Sequence, residues 1–166
     1  MGTPSSGARL IVVCGLPGSG KTTHAKQLQA RLRAIRLCPD EWMDALLLDI
    51  WDDRQREKIE SLQWQFGQQL LILGFTVIIE WGTWGRSERD ALRLRARELG
   101  ADVELHHLST PTEVLLDRVQ RRRIEDPPIK REQLLQWANA FQAPTAEELT
   151  LFDKAVRLET LAHFNE

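Results

Sequence analysis

The sequence predicts an α/β fold built around a five-stranded parallel sheet. Two observations predict it: short apolar, β-branched segments alternate five times with segments of helical periodicity, and a glycine-rich loop stands between the first strand and the first helix. With 166 residues, of which 42% are hydrophobic, the chain can bury one core of its own. We therefore expect a flexible N-terminus at residues 1–8 and a single domain at 9–166, in three layers with helices on both faces of the sheet.

The first strand, ARLIVVC (8–14), leads into the loop GLPGSGKT (15–22). A glycine, four residues, a second glycine, a lysine and a hydroxyl residue form the pattern of a phosphate-binding loop, in which the lysine reaches the β- and γ-phosphates and the hydroxyl ligates Mg²⁺. Glycines let several backbone N–H groups converge on one anion, and the dipole of the helix that follows adds positive potential. The predicted nucleotide-binding residues are Gly15, Leu16, Pro17, Gly18, Ser19, Gly20, Lys21, Thr22 and Thr23. Lys21 is also expected to be catalytic, and Thr22 to ligate the metal.

The next elements alternate in the same way. AIRLC (34–38) is the second strand, a mostly helical stretch runs from 42 to 73, and FTVIIE (75–80) is a third strand whose apolar residues fit burial on both faces. The glycine-rich turn WGTWGR follows, and Ser87 with Asp90 three residues later marks the start of another helix.

The second half of the chain continues the alternation. ADVELHHL (101–108) is the fourth strand, and TPTE (110–113) supplies a cap, a first-turn proline and a capping-box acid for the helix after it. The proline pair at 127–128 must end that helix. A further helix follows, and KAVRLET (154–160) is the fifth strand.

Acidic residues follow two of the predicted strands at their carboxyl ends, where sheets of this kind bind ligands. Asp40 stands two residues past the second strand, and we interpret it as the general base that accepts the proton of an acceptor hydroxyl. An alternative is that Asp40 caps the helix that begins near Glu41, since aspartate is a favoured N-cap, and the two roles can coexist. Glu80 ends the third strand, where an acid with nothing to bind would be costly, so we expect it to help hold the Mg²⁺ water shell or to bind substrate.

A basic cluster, RVQRRR (118–123), precedes the proline pair. Arginines near a helix C-terminus are favoured by the helix dipole alone, so a solvated basic face is one interpretation. Helical spacing also puts Arg118 on one face with Arg121 and Arg122, and the segment beyond them suits a lid that closes on ATP. We expect a lid at about 118–131, with Arg118 and Arg122 as catalytic residues that contact the phosphates.

Tryptophan is over-represented, with six residues and no tyrosine. Aromatic faces that stack on a ring or a sugar are expected in one pocket, which four of them could approach: Trp42, Trp81, Trp84 and Trp137. An alternative is that Trp42 and Trp137 are core residues of their helices, and Trp51 and Trp64 are expected to serve packing only. The predicted substrate-binding residues are Asp40, Trp42, Glu80, Trp81, Thr83, Trp84, Arg86 and Trp137.

These motifs resemble those of the small P-loop kinases of the polynucleotide-kinase-like group, the AAA_33 domain family, and are similar in parts to zeta-toxin-type and chloramphenicol phosphotransferase-type kinases. The resemblance covers nearly all of the chain after Ala8. In that family the aspartate after the second strand acts as the base, which falls on Asp40, and the lid arginines fall in RVQRRR. VIIEWGT resembles the acid, glycine and threonine after the third strand of zeta-like members, with Trp81 inserted. The resemblance implies a P-loop kinase fold and kinase chemistry, but it does not name the acceptor.

The leading hypothesis is an ATP-dependent kinase that transfers the γ-phosphate to a hydroxyl of a small molecule, such as an antibiotic, a nucleoside or a nucleotide sugar. No asparagine-lysine-x-aspartate motif for guanine is present, so ATP with Mg²⁺ is expected. The alternatives are a 5′-hydroxyl nucleic acid kinase, which a net charge of −2 disfavours, and a nucleotide-binding switch without kinase activity. Because the chain lacks an apolar run of about 20 residues and a signal-peptide pattern, we expect no membrane partner and a cytoplasmic protein, monomeric or homodimeric.

Overall fold

A computed structural model of the protein describes residues 7–122 and 127–159. Its strands are β1 (Arg9–Cys14), β2 (Ile35–Leu37), β3 (Thr76–Gly82), β4 (Asp102–Ser109) and β5 (Lys154–Glu159). Its helices are α1 (Lys21–Leu32), α2 (Pro39–Ala45), α3 (Asp53–Ile72), α4 (Arg86–Glu98), α5 (Thr112–Arg122), α6 (Arg131–Ala140) and α7 (Ala146–Leu149). The strands form one all-parallel sheet in the order β2-β3-β1-β4-β5, which confirms the predicted α/β fold.

The central strands β1, β3 and β4 are buried on both faces because their alternate side chains point toward two helical layers. On one face Val12 belongs to a core with Leu71 of α3 and Ala96 of α4. On the other face Val13 belongs to a core with Leu28 of α1. The apolar run of the first strand therefore serves both cores, and β1 holds the three layers together.

The carboxyl edge of the sheet gathers the loops that follow β1, β2, β3 and β4. β1 lies at the centre and pairs with both β3 and β4, so the loop after it lies between the ends of these two strands. Gly15 N donates to Gly82 O at 3.3 Å, and this hydrogen bond joins the glycine-rich loop to the end of β3. The parallel topology therefore concentrates residues from distant parts of the sequence at one edge.

The helical stretch expected from 42 to 73 is divided into α2 and α3 by residues 46–52. In this loop Leu47 adopts a φ of 56°, a left-handed conformation that does not continue a helix. Asp52 then caps α3, since its side chain accepts hydrogen bonds from two backbone N–H groups of the first turn. The break gives the chain a separate short helix, α2, directly after β2.

Two helices begin at other residues than the sequence suggests. The N-cap of α2 is Cys38, and Pro39 occupies the first turn, so Asp40 lies inside the helix and does not cap it. α4 begins at Arg86, one residue before Ser87, and Gly85 N donates to Glu88 Oε2 at 3.1 Å, the one capping-box hydrogen bond that a glycine N-cap can make. The alternative interpretation, that Asp40 caps this helix, is therefore wrong, and its carboxylate is left for other partners.

Some predictions fall outside the described residues. Residues 1–6 of the expected N-terminal segment are not described, while Ala8 is buried. The expected lid at 118–131 includes 123–126, with Arg123, which are not described either. Within 7–122 and 127–159, none of the helices has the length and apolar character needed to cross a membrane.

Candidate active site

Glycines shape the loop after β1 at positions where a side chain would not fit. Gly18 and Gly20 have φ values of 82° and 95°, which glycine adopts without strain. A Cβ on Gly18 would lie 3.0 Å from Val119 Cγ2 of α5, and a Cβ on Gly15 would lie 2.9 Å from the carbonyl oxygen of Leu108 in β4. The glycines therefore let the loop pack closely against both elements.

Lys21 begins α1 and has its ammonium group within the loop. Nζ donates to Leu16 O at 3.0 Å. Burial lowers the pKa of Lys21 to about 8, while the nearby carboxylates of Glu80 and Asp40 oppose this shift and Arg122 adds to it. A cation that has lost water, and that forms no ion pair within the described part of the chain, is well suited to a phosphate.

Glu80 lies two residues before the end of β3, at the carboxyl edge of the sheet, and is buried beside the loop. Its Oε1 accepts a hydrogen bond from Thr22 Oγ1, and its Oε2 accepts one from Arg36 Nη1 at 2.6 Å. The arginine supplies the positive charge that a buried carboxylate needs. The structure thus brings Glu80 to the predicted metal ligand Thr22, and hydroxyl and carboxylate oxygens are the protein ligands that Mg²⁺ prefers.

Asp40 lies in the first turn of α2 and is exposed. Its Oδ1 accepts a hydrogen bond from Arg56 Nη2 of α3, and Arg56 Nη1 lies 3.6 Å from Glu60 Oε1. Burial raises the pKa of Glu60 to about 7, and the positive charge of Arg56 opposes this shift. With its side chain 66% exposed, Asp40 is accessible to a substrate hydroxyl, while Arg56 orients it.

The arginines of α5 differ in what they face. Arg118 Nη1 donates to Gly18 O at 3.2 Å, so its guanidinium lies against the loop. Arg122, one turn later, contributes to the lowered pKa of Lys21. Arg121 is different, because its side chain is 80% exposed. Arg118 therefore faces the loop and Arg121 does not, so the expectation that Arg118, Arg121 and Arg122 share one face is wrong for Arg121.

The four tryptophans expected in one pocket (Trp42, Trp81, Trp84 and Trp137) instead form two groups. Trp84 and Trp137 are in contact, with ring centroids 5.8 Å apart, and Trp137 also stacks on Trp51 at 6.2 Å. Trp42 and Trp81 pack instead against the core that α3 and α4 share with the sheet. Trp51, expected to serve packing only, thus belongs to a tryptophan cluster (Trp51, Trp84, Trp137) that links the α2–α3 loop to α6.

The turn after β3 holds Thr83 in an unusual conformation. Thr83 has a φ of 43°, which is uncommon for a β-branched residue. Its side-chain hydroxyl is buried and makes no hydrogen bond within residues 7–122 and 127–159. Strained residues and unpaired buried polar groups concentrate at functional sites, so Thr83 stays a candidate for substrate binding.

Arg86, the last of the predicted substrate-binding residues, is tied to neighbouring helices. Its Nε lies 3.4 Å from Asp90 Oδ2 in α4, and its Nη2 lies 3.5 Å from Glu147 Oε1 in α7. Its backbone N donates to Gln142 Oε1 at 2.8 Å. These contacts connect Arg86 to α7 and not to the phosphate-binding loop.

Ser19, inside the loop, has a buried hydroxyl whose lack of a hydrogen-bond partner among the described residues bears on whether the site suits a bound phosphate. The residue is 2% exposed. It lines a cavity of about 160 Å³ together with Leu16, Ser109 and Thr110. Buried polar groups are nearly always paired, so this hydroxyl calls for a partner such as water or a ligand oxygen. Together with Lys21 and the start of α1, the residues present fit a nucleotide phosphate.

Sequence reasoning missed three arginines that organise the site: Arg36, Arg56 and Arg89. Arg36 carries a sequence signal, because a charged residue inside the apolar run AIRLC must find a buried partner. Arg56 and Arg89 stand on helices, where arginine is usually solvated, so no local pattern distinguishes them. Their roles become visible only from the contacts with Asp40 and with the turn after β3.

A parallel sheet with a glycine-rich loop after its central strand, a lysine at the start of the next helix and acids at the carboxyl edge defines a P-loop nucleotide-binding protein with a kinase-like fold. The sequence profile of the AAA_33 family, described as an AAA domain, matches residues 10–144. The chain therefore belongs to this family, which confirms the resemblance drawn from the motifs. None of the curated protein sequences compared with the chain matches it.

Solved structures share the fold at low sequence identity. A provisionally assigned kinase from Chloroflexus aurantiacus j-10-fl has a TM-score of 0.72 and 19% identity, over 93% of this chain and 89% of its own. Kti12 from Chaetomium thermophilum, in complex with ADP-AlF3, has a TM-score of 0.70 and 19% identity, over 90% and 88%. A gluconokinase from Sinorhizobium meliloti 1021 has a TM-score of 0.61 and 20% identity, over 92% and 82%. At these identities the likeness is one of fold.

Proposed function

We propose that the protein is a Mg²⁺- and ATP-dependent phosphotransferase that moves the γ-phosphate of ATP to a hydroxyl of a small molecule. The observation that carries the proposal is the geometry of one sheet edge: Lys21 Nζ donates to Leu16 O within the loop, Thr22 donates to Glu80, and the exposed Asp40 follows the neighbouring strand β2. A phosphate-binding lysine beside an exposed aspartate is the pairing that phosphoryl transfer to an alcohol needs, since one group holds the donor and the other accepts the proton.

Each residue has a defined role in this proposal. Asp40 accepts the hydroxyl proton while the acceptor oxygen bonds to the γ-phosphorus and the bond from the γ-phosphorus to the bridging oxygen of ADP breaks. Lys21 and Arg118 stabilise the negative charge on the transferring phosphoryl group. Thr22, with Glu80 beside it, would hold Mg²⁺ together with ATP, and the bound ion would supply further charge neutralisation.

The charges near Asp40 favour a small acceptor over a nucleic acid. Asp40 lies next to Glu41 in sequence and near Glu60 across α3, and Arg56 is the cation that contacts it. A polyanionic strand would need a basic groove, because counterion release at its phosphates dominates its affinity. The surroundings of Asp40 therefore suit a neutral or cationic hydroxylated molecule better than a 5′-hydroxyl oligonucleotide.

The test is phosphate transfer from γ-labelled ATP with Mg²⁺ to a panel of sugars, nucleosides, nucleotide sugars, antibiotics and 5′-hydroxyl oligonucleotides. We expect label on one class of acceptor, and a loss of at least about 100-fold for Asp40→Asn, the usual contribution of a general base. Asp44→Asn is the matched control, because Asp44 is an exposed residue of the same helix and should leave transfer unchanged. If no acceptor is labelled and Asp40→Asn hydrolyses ATP as fast as the parent protein, a nucleotide-binding switch without kinase activity replaces this proposal.

A further inference from the structure

Arg36 is a buried cation that joins three elements around the phosphate-binding loop. It lies in the middle of β2, and its side chain is 5% exposed. Its Nη1 contacts Glu80 Oε2 of β3 at 2.6 Å, its Nη2 contacts Glu41 Oε1 of α2 at 2.5 Å, and its Nε donates to Gln29 Oε1 of α1 at 3.2 Å. All three nitrogens of the guanidinium therefore donate to acceptors, and each acceptor belongs to a different element.

The Glu80 carboxylate is fixed between two donors. Its side chain is 3% exposed, one oxygen accepts from Arg36, and the other accepts from Thr22 Oγ1. With both oxygens engaged, the carboxylate cannot rotate without losing a hydrogen bond in a buried place. A hydroxyl whose proton is donated to a carboxylate directs its lone pairs elsewhere, so this arrangement prepares Thr22 to ligate a metal ion.

The same guanidinium also holds the start of α2. Glu41 adjoins Asp40 in the first turn of this helix, and its contact with Arg36 lowers the pKa of Glu41. A second cation, Lys26, reaches Glu41 at 3.4 Å, but its side chain is 58% exposed. Because the Arg36 side chain is 5% exposed and is fixed by two further acceptors, its contact with Glu41 is the one that restrains this turn.

We propose that Arg36 is a positioning residue that orients the Thr22–Glu80 pair for the metal ion and ties this pair to the turn that carries Asp40. The inference deepens the proposed function and rests on it, since it concerns how the site holds Mg²⁺ with the nucleotide. Residues that orient metal ligands typically contribute 10- to 100-fold to metal affinity or activity. A residue that only stabilised the fold would leave the metal dependence unchanged.

The experiment measures nucleotide affinity and needs no acceptor. Binding of ADP and of a non-hydrolysable ATP analogue is measured by calorimetry in Mg²⁺ and again in EDTA, and the ratio of the two affinities reports the metal contribution. We expect Arg36→Met to reduce this ratio about tenfold or more. Arg36→Lys keeps the positive charge but loses the planar guanidinium with its several donors, so it should reduce the ratio less. Arg36→Lys also keeps the test available if the methionine variant fails to fold.

Two further variants separate positioning from stability. Arg97→Met is the matched control, because Arg97 contacts Leu151 O at 2.8 Å and Asp153 Oδ1 at 3.2 Å, away from the loop. It should lower the melting temperature without changing the ratio. In Glu80→Gln, adding Arg36→Met should change the ratio little, because Arg36 then has lost the carboxylate through which it acts.

The outcomes distinguish this inference from the proposed function. An unchanged ratio in both Arg36 variants, with the parent protein binding Mg²⁺-nucleotide normally, overturns the role of Arg36 and leaves the kinase proposal standing. If the effects of Arg36→Met and Glu80→Gln on the affinity ratio are fully additive, Arg36 does not act on the metal through Glu80. If the parent protein binds no nucleotide at all, it is the proposed function that fails.

Discussion

Arg118 and Arg121 lie three residues apart on α5, yet only one of them meets the phosphate-binding loop. Arg118 Nη1 donates to Gly18 O at 3.2 Å. Arg121 Nε donates to Asp117 Oδ1 at 2.9 Å on the solvent side of the same helix. The two residues are both arginines of the same helix. Comparing their substitutions therefore separates a role toward phosphate from a general effect of positive charge.

We predict that Arg118→Met reduces kcat of phosphate transfer about 100- to 1,000-fold, the usual loss when one group that stabilises transition-state charge is removed. Arg121→Met should stay within about twofold, since its exposed guanidinium pairs with Asp117 and makes no contact with the loop among the described residues. Steady-state kinetics of the two variants with the acceptor found by the panel checks this. Equal effects of the two substitutions would mean that Arg118 acts on the loop only through the overall charge of α5.

The sequence could predict those site residues that stand at a position defined by the fold. Lys21 and Thr22 belong to a local motif, while Asp40 follows β2 and Glu80 lies near the end of β3, two strands whose carboxyl ends lie at the same edge. It could not predict that Arg36 pairs with Glu80, because this contact joins residues 44 positions apart and depends on β2 lying beside β3. Long-range partners of this kind follow from the sheet order and not from a local pattern.

At the scale of elements, Arg89 connects the turn after β3 to the segment before β5. The side chain is fully buried, and it donates to Thr83 O, Trp84 O and Gln142 O at 2.8–3.2 Å. Its ion pair with Glu148 of α7, at 2.6 Å, is buried as well. A single side chain of α4 therefore satisfies backbone carbonyls that no strand or helix pairs.

We predict that Arg89→Met lowers the free energy of unfolding by about 3–5 kcal/mol, because it leaves the Glu148 carboxylate buried without a partner. Arg95→Met, on the exposed side of the same helix, should change it by at most about 0.5 kcal/mol. Urea denaturation followed by circular dichroism measures both. Adding Glu148→Leu to Arg89→Met should recover part of the loss, and a double variant that is less stable than Arg89→Met would contradict the ion-pair explanation.

Strands were easier to predict than helix boundaries, for a physical reason. The buried central strands β1, β3 and β4 contain continuous apolar runs, and all five strands could be recognised within two residues of their observed ends, although β5 is largely exposed. A helix start depends on which residue occupies the N-cap. In α2 and α4 this residue is Cys38 and Gly85, and neither caps the helix through a side-chain hydrogen bond, so the sequence gives no clear signal for either start. The short helix α7 carries no periodicity that would reveal it in the sequence.

At the scale of the whole molecule, a buried histidine of the sheet links stability to pH. His107 of β4 is 5% exposed and stacks on Phe141, with ring centroids 5.7 Å apart. Burial lowers the pKa of His107 to about 4, with the positive charges of Arg157 and Arg89 adding to the shift and Glu148 opposing it. Because the unfolded chain has a histidine pKa near 6.5, it takes up a proton before the folded protein does.

We therefore predict that His107 costs the protein stability as the pH falls from about 6.5 to about 4. At pH 5 the unfolded state is protonated at this residue and the folded state is not, which amounts to about 2 kcal/mol. Urea denaturation at pH 7.5 and pH 5 should show that His107→Gln loses less stability between the two pH values than the parent protein, by about this amount. Phe152→Leu, at a buried aromatic position of the core against which Phe141 packs, should lower stability equally at both pH values. If His107→Gln shows the same pH dependence as the parent protein, the folded protein accepts a proton at His107 as easily as the unfolded chain does.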